Sequence, residues 1–169
     1  MKNLEIRTAV DADIPGLYQI AAAMKQSHEE NYFERCLQEQ AAGNRLLLLA
    51  QVDGPVGYAQ LNFKPLYPPF RRFNMPEVQD LNVVPDARRQ GVGAALVDYC
   101  EQEVRRRGGS DIGISVGLYP RYGAAQRLYV QRGYVPDGAG ACYDDIPVSN
   151  GELRAVDDLL TLKLIKSLS

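Results

Sequence analysis

The residues best suited to chemistry lie where an apolar strand runs into a turn rich in arginine and glycine. Residues 81–84 are apolar apart from one asparagine, and the turn then reads Arg88, Arg89, Gln90, Gly91, Val92, Gly93 and Ala94. The first N–H groups of a helix lack intrahelical acceptors and lie at the positive end of its dipole, so an anion placed there meets several donors. Gly91 and Gly93 carry no Cβ atom, and Arg88 and Arg89 add charge-assisted hydrogen bonds. The junction therefore predicts a site for a pyrophosphate group.

A helix is predicted to follow the turn, from about Gly91 to Arg107. Its apolar residues recur at the spacing of one helical face: Val92, Ala95, Leu96, Tyr99, Cys100 and Val104. A P-loop would need Gly-Lys-Ser/Thr after Gly93, and a dinucleotide fingerprint would need a third glycine where Leu96 stands. Both of these phosphate sites fit the residues less well. An ordinary basic surface loop before a helix would not account for the preceding strand and proline.

Two stretches resemble sequence motifs of one enzyme superfamily. Arg88-x-x-Gly91-x-Gly93, after a strand ending Leu-x-Val, is similar to the coenzyme A signature of the GNAT superfamily of N-acetyltransferases, Gln/Arg-x-x-Gly-x-Gly/Ala. Residues 123–134 resemble the late helix of that superfamily and the Gly-Phe or Gly-Tyr that begins its next strand. The resemblance implies one mixed α/β (α+β) domain over residues 1–169, with the GNAT-like acyl-CoA N-acyltransferase fold. Such a fold has a central, mostly antiparallel twisted sheet of about six to seven strands, flanked by about four helices.

The resemblance also implies which residues bind acetyl-CoA and which take part in acetyl transfer. Backbone groups of Leu81 and Val83 would contact pantetheine, and residues 88–94 would hold the pyrophosphate. Tyr129 matches a tyrosine that relatives place near the sulfur as general acid, and a phenol, with an ordinary pKa of about 10, is protonated at neutral pH. Tyr122 stands seven positions earlier, where many relatives have a cofactor-binding asparagine. A phenolic hydroxyl at that position could still reach pantetheine or phosphate.

Two acidic residues of the strand before the turn are candidates for the base. Glu77 matches the position of the carboxylate in histone-acetylating relatives, whereas Asp80 immediately precedes Leu81 and the cofactor stretch. Alternation along a regular strand puts positions 77 and 80 on opposite faces, but a bulge, which this superfamily commonly has there, would shift the phase. Either carboxylate could act directly, through water, or by attracting a cationic amine. The sequence leaves both open.

Features that could recognise the acceptor point in opposite directions. The proline-rich segment 64–76 is predicted to be an irregular loop, and it carries Tyr67, Phe70, Arg71, Arg72 and Phe73, which suit a flat or partly anionic group. The late segment 136–158, also predicted to be irregular, has more acidic residues than basic ones, which suits a polyamine or an aminoglycoside. Its acidic residues are Asp137, Asp144, Asp145, Glu152, Asp157 and Asp158, against Arg154. The expected acceptor is a primary amine of a small molecule or peptide. A binding module without turnover and a transferase for another acyl-CoA stay open as alternatives.

Composition bears on the number of domains, the binding partners, the location and the presence of metal or disulfide sites. The chain has 169 residues, 46% of them hydrophobic, and a net charge of −2, which fits one folded domain and gives no reason to expect nucleic acid or an anionic membrane as partner. The longest apolar run, residues 46–50, is too short to span a bilayer, and no signal peptide is recognisable, so a cytoplasmic location is expected. Three scattered cysteines and a single histidine, His28, favour neither a disulfide framework nor a metal site. Dimers are frequent in the superfamily, so a homodimer is left open.

Periodicity and turn residues predict the other elements. Strands are expected at 4–7, 45–52, 56–63, 77–84, 111–118, 134–135 and 159–164, and helices at about 14–21, 29–42 and around residue 129. One side of the strand at 111–118 carries Gly113, Ser115 and Gly117, which permits close approach of another backbone, a ligand or a tightly packed helix.

Overall fold

The computed structural model describes residues 3–169, which form a mixed α/β structure as predicted. The five α-helices among them are α1 (Ile14–Ala23), α2 (Tyr32–Ala41), α3 (Pro68–Arg72), α4 (Val92–Arg106) and α5 (Gly123–Gln131). The eight strands are β1 (Glu5–Thr8), β2 (Arg45–Gln51), β3 (Pro55–Asn62), β4 (Glu77–Val83), β5 (Asp111–Gly117), β6 (Val135–Tyr143), β7 (Ile146–Pro147) and β8 (Leu160–Ser167). Helix α3, of five residues, and strand β7, of two, account for the difference from the predicted four helices and seven strands. No helix within residues 3–169 is long and apolar enough to cross a membrane.

The described chain divides into two compact units, of which the first comprises residues 3–63 and Val78–Glu103. Strands β1, β2 and β3 pair antiparallel, with Ile6 opposite Ala50 and Leu47 opposite Gln60. Strand β4 lies beside β3. The two backbones are so close that a Cβ added at Gly57 would stand 2.7 Å from the carbonyl oxygen of Asn82. The apolar sides of α1 and α2 bury the core of this unit, which consists of Ala9, Leu17, Ile20, Ala21, Phe33, Cys36, Leu47, Leu49 and Tyr58.

The second unit comprises Lys64–Glu77 and Val104–Ser169. Strand β8 lies between β5 and β6 and pairs antiparallel with both, with Leu164 opposite Ile114 on one side and Pro136 on the other. A separate core cluster of this unit is formed by Tyr67, Phe70 and Cys142, with Met75 and Ile165 packed against it. The prediction of a single domain over the whole chain stays a prediction.

Two segments predicted to be irregular contain regular structure. Helix α3 begins inside the proline-rich segment, and its first two positions, Pro68 and Pro69, are those where a backbone N–H would have no intrahelical acceptor. Strand β6 continues to Tyr143, well beyond the two residues predicted. Its register against β8 shifts between Pro136 and Ala141, a stretch with left-handed glycines, so it lacks the alternation by which a strand is recognised. The prediction of an irregular 136–158 region is therefore wrong for residues 136–143 and 146–147.

The small residues of β5 make room for two aromatic rings. A Cβ at Gly113 would stand 2.2 Å from the ring of Phe70, and one at Gly117 would stand 2.2 Å from the ring of Tyr122. Side chains of α3 and of the segment before α5 therefore cover this side of the strand. Other groups do approach this side of β5 closely, and they are the aromatic rings of Phe70 and Tyr122.

Replacing Gly113 by alanine is expected to lower the free energy of unfolding by about 1–3 kcal/mol, because the added methyl group overlaps a ring that the core holds in place. Gly54→Ala is the matched control, since nothing lies within 4 Å of a Cβ at Gly54. Its cost is expected to stay within about 0.5 kcal/mol. Urea denaturation of the two variants measures the difference, and equal losses would show that the Phe70 ring yields freely.

Candidate active site

The turn that begins α4 combines left-handed backbone with exposed polar groups. Arg89 has φ 58° and Gly91 has φ 87°, and no atom lies within 4 Å of where a Cβ at Gly91 would stand. Residues 88–91 are exposed, whereas the side chain of Val92 is buried and holds the first helical turn on the core. The predicted apolar face of α4 is buried at Val92, Leu96, Cys100 and Val104. The turn therefore leads into the first N–H groups of α4, which have no intrahelical acceptor, with open space at the Cβ position of Gly91.

Arg88 ties the turn to the end of β4. Its Nε donates to the carbonyl oxygen of Val83 at 3.1 Å, and its Nη2 lies 3.2 Å from the sulfur of Met24. Gln90 donates to the carbonyl oxygen of Asp86 at 2.7 Å. A guanidinium has five N–H donors, so Arg88 keeps others for an anion. Leu81, Val83, Gly93 and Ala94 are half-buried.

Asp80 lies in β4 with left-handed backbone, φ 48°. A left-handed residue interrupts the pleat of a strand, as a bulge also does. One carboxylate oxygen accepts hydrogen bonds from Tyr32 at 2.7 Å and Gln60 at 3.3 Å, and the other accepts one from Asn82 at 2.7 Å. The side chain is 17% exposed. Asp80 is thus a hydrogen-bonded carboxylate at the edge of solvent.

His28, from the segment between α1 and α2, joins this polar cluster. Its Nε2 lies 3.1 Å from the hydroxyl of Tyr58 and 4.0 Å from an Asp80 oxygen, and its ring stacks on Tyr32 with the centroids 4.0 Å apart. Burial raises the pKa of both Tyr32 and Tyr58, and the Asp80 charge adds to it, so both phenols stay protonated. Sequence reasoning considered His28 only as a metal ligand, because a histidine between two helices carries no periodic signal.

Glu77, the other candidate base, lies in a different environment. Its carboxylate is fully buried and accepts hydrogen bonds from Lys163 at 2.7 Å and Ser115 at 2.6 Å. Lys163 also pairs with Asp145 and lies over the ring of Tyr67. Desolvation lowers the pKa of Lys163, but the charge of Glu77 and the hydrogen bonds to the two carboxylates outweigh it, and the net pKa is raised. Glu77 is therefore the counter-ion of a buried lysine.

The two predicted tyrosines of the late helix differ in their surroundings. Tyr129 lies in α5, is 4% exposed, and its ring centroid is 6.1 Å from that of Tyr134. Tyr122 lies just before α5, and its hydroxyl donates to Asp158 at 2.8 Å. Burial and then this carboxylate raise the pKa of Tyr122. The hydroxyl that stands in place of the usual asparagine is therefore already engaged by an acidic residue.

The cysteines and acidic residues form no second reactive centre within residues 3–169. The three cysteines are free and buried. Burial raises the pKa of Cys36 to about 11 and that of Cys100 to about 12, and it also raises that of Cys142, so all three are held as thiols. In the same part of the chain, no three histidine, cysteine, aspartate or glutamate residues are grouped so that they could hold a metal ion.

A family model described as Acetyltransferase (GNAT) family matches residues 14–134, which is well over half of the chain. The chain belongs to the GNAT family. The match includes the turn into α4, Asp80 and Tyr129. The resemblance seen in the sequence is therefore confirmed.

Relatives of this GNAT protein include enzymes with different acceptors. It is 34% identical over 84 residues to aminoglycoside N(6')-acetyltransferase type 1 of Klebsiella aerogenes, covering 49% of this chain and 55% of that protein. The chain thus spans about half the length of this curated relative. Among solved structures, yncA of Salmonella typhimurium, determined with its cofactor acetyl-CoA, has a TM-score of 0.68 at 18% identity, covering 99% of this chain and 95% of that one. The ribosomal-protein-S18-alanine N-acetyltransferase of Escherichia coli has a TM-score of 0.67 at 20% identity, covering 98% and 94%. At these identities the structures establish the shared fold.

Replacing Lys163 by methionine is expected to lower the free energy of unfolding by about 3–5 kcal/mol at neutral pH, because Glu77 is left buried without its cation. The double variant Glu77→Gln/Lys163→Met is expected to lose clearly less than the sum of the two single variants. The raised pKa of Lys163 adds stability that is fully present below its ordinary value of 10.5 and is lost as pH rises through the folded value. Urea denaturation of the variants, and of the wild type towards alkaline pH, measures both effects. Additive losses would contradict the pairing.

Proposed function

We propose that this protein is an N-acetyltransferase that moves the acetyl group of acetyl-CoA directly to a primary amine of a small molecule or peptide, through a ternary complex. The observation that carries the proposal is the turn into α4, with its exposed amides, left-handed Gly91 and tethered Arg88, inside the stretch matched by the family model. No residue is proposed to carry the acetyl group covalently, because burial holds the cysteines as thiols.

Residues 88–94 fit a diphosphate by their chemistry. The position of a Cβ at Gly91 is open, the amides of the first helical turn have no intrahelical acceptor, and Arg88 and Arg89 are exposed cations beside them. Bound acetyl-CoA would supply an activated acyl thioester. In this assignment, Leu81 and Val83 contribute backbone groups to pantetheine, Gln90, Val92, Gly93 and Ala94 line the diphosphate, and Tyr122 lies near the same ligand once its hydrogen bond to Asp158 is exchanged.

Asp80 is the carboxylate that we propose at the acceptor end. Glu77 is fully buried and neutralised by Lys163, so it can neither approach an amine nor give up its cation without a large loss of stability. Asp80 is partly exposed, and within residues 3–169 its side chain forms no ion pair with a lysine or an arginine. It can therefore attract a cationic amine and help to remove its proton.

Tyr129 is proposed as the general acid. The acceptor nitrogen forms a bond to the acyl carbon as the carbon–sulfur bond breaks, and the Tyr129 hydroxyl gives its proton to the departing sulfur. The acylated nitrogen then loses one proton, and this proton restores the phenol. When the acceptor is a neutral amine, the reaction therefore takes up no proton from solvent and releases none. The family match and the position of Tyr129 in α5 support this role.

The acceptor class rests on relatives and on charge. An aminoglycoside acetyltransferase and a ribosomal-protein-alanine acetyltransferase are both similar to this chain, and both named acceptors carry amines. Asp137, Asp144, Asp157 and Asp158 in the second unit favour a cationic small molecule over an anionic one. The cytoplasmic location, the homodimer and the absence of a nucleic-acid or membrane partner stay predictions from the sequence.

Replacing Gly91 by alanine is expected to weaken acetyl-CoA binding at least tenfold, because the methyl group strains a left-handed residue and intrudes on the amide surface. Gly108→Ala is the matched control: Gly108 also has positive φ and open space at its Cβ position, but it follows the last turn of α4. Both variants are expected to lose about 1–2 kcal/mol of stability. Calorimetric titration with acetyl-CoA distinguishes them, and equal affinities would count against the diphosphate site.

Replacing Tyr129 by phenylalanine is expected to lower kcat about 10²–10⁴-fold while the affinity for acetyl-CoA changes less than about twofold, because only the proton donor is lost. Tyr134→Phe is the control, since Tyr134 is similarly buried and phenylalanine is found at that position in the family. Thiol release with small amines, polyamines, aminoglycosides, amino acids and peptide N-termini measures turnover and identifies the acceptor. If the wild type binds acetyl-CoA but acetylates none of them, the protein is a binding module and the proposal is wrong.

A further inference from the structure

The polar cluster around Asp80 contains a chain of hydrogen bonds whose direction can be derived. It runs from Asp80 through Asn82, Gln26 and Tyr58 to His28, all within the first unit. His28 is the only histidine of the protein, and its side chain is 13% exposed. The sequence assigns it no function.

The direction is set at Asp80, because an ionised carboxylate can only accept hydrogen bonds. Asn82 Nδ2 lies 2.7 Å from an Asp80 oxygen and 3.1 Å from the Asp80 carbonyl oxygen, so the NH₂ group of Asn82 must face Asp80. Its amide oxygen then faces Gln26, whose Nε2 lies 2.9 Å away and must be the donor. The amide oxygen of Gln26 is left to accept from Tyr58, at 3.0 Å.

The tautomer of His28 follows from the hydroxyl of Tyr58. That hydroxyl has one proton, and both acceptors beside it, Gln26 Oε1 and the carboxylate of Asp80, can only accept it, because neither an amide oxygen nor an ionised carboxylate can donate. Towards His28, at 3.1 Å, the Tyr58 oxygen can therefore only accept, so His28 Nε2 must carry a hydrogen. In a neutral imidazole the other nitrogen is then a bare lone pair. Nδ1 of His28 has no hydrogen-bond partner in the part of the chain that the structure describes.

We propose that His28 is a catalytic base of this acetyltransferase, held as the Nε2–H tautomer so that Nδ1 accepts a proton from the acceptor amine. The proposal rests on the proposed function and adds a residue to it. The proton that leaves the amine nitrogen frees the lone pair that attacks the acyl carbon. The imidazolium formed at His28 gives the proton to solvent after each turnover, and Asp80 is its positioning and electrostatic partner.

The groups that face His28 include one carboxylate and two phenols. The carboxylate of Asp80 on β4 lies 4.0 Å from Nε2, and the phenols that face the ring, Tyr32 on α2 and Tyr58 on β3, are neutral. Within residues 3–169, no lysine or arginine contacts the ring. Its parallel stacking on Tyr32 also fixes the plane in which Nδ1 points.

Because the protein has one histidine, the NMR signals of the imidazole nitrogens all come from His28. Its tautomer can therefore be determined without resonance assignment. In protein labelled with ¹⁵N-histidine, long-range proton–nitrogen correlation at a pH where the ring is neutral is expected to give the protonated-nitrogen shift for Nε2 and the bare-nitrogen shift for Nδ1. Tyr58→Phe removes the acceptor and is expected to give a mixture of tautomers. Tyr18→Phe is the matched control, since the Tyr18 hydroxyl donates to Glu34, which is not part of the hydrogen-bond chain from Asp80 to His28. A proton on Nδ1 in the wild type would overturn the proposal.

Kinetics test the catalytic role separately. His28→Gln can keep an amide N–H towards Tyr58 but has no basic nitrogen, so kcat is expected to fall about 100-fold or more, with acetyl-CoA affinity within about twofold. A base acts only while it is unprotonated, so the wild type is expected to lose kcat towards acid pH, and this loss is expected to disappear in the variant. Wild-type kcat or an unchanged acid limb in His28→Gln would overturn the role of His28 alone. A wild type without turnover would overturn the proposed function as well.

Discussion

Left-handed backbone at two points, Asp80 and the turn from Arg89 to Gly91, is the constraint on which the candidate site depends. Such a conformation costs about 1–2 kcal/mol at a residue with a side chain, so neighbouring groups must hold it. At Asp80, donors from three other residues fix the carboxylate. At the turn, Arg88 is bonded to the end of β4 and Val92 is anchored in the core. The irregular residue at Asp80 interrupts the strand, and the irregular turn leads into the first amides of α4, which have no intrahelical acceptor.

The two carboxylates of β4, Glu77 and Asp80, have different roles because their surroundings differ. Glu77 is fully buried and accepts hydrogen bonds from Lys163 and Ser115, so within the second unit its charge holds the side chains of Ser115 and Lys163 in place. Asp80 has neutral donors and partial exposure, and its charge is available to other groups. The same acceptor-only carboxylate orients the amides and the phenol that lead to His28. A charge without a cationic partner can therefore set the protonation pattern of a whole cluster.

The sequence predicted those features that repeat along the chain or depend on local turn chemistry. The apolar face of α4, the glycine-rich turn and the antiparallel pair β2–β3 were predictable because their signals lie within a few residues. Helix α3 and most of β6 were not, because prolines and glycines hide the period in both. The Lys163–Glu77 pair and the cluster around Asp80 join residues far apart in sequence, and polar contacts of that kind leave no spacing to detect. Asp80 and Glu77 differ in their burial and in the lysine that pairs with Glu77, and neither difference can be seen in the sequence.

The proposed function depends on binding of the cofactor diphosphate by the amides at the start of α4. A crystal structure of the protein with coenzyme A is the direct test. We expect diphosphate oxygens at hydrogen-bond distance, about 2.7–3.2 Å, from backbone nitrogens of residues 91–94, with the Arg88 guanidinium beside them. A diphosphate bound away from this turn, with the first helical amides left to water, would contradict it.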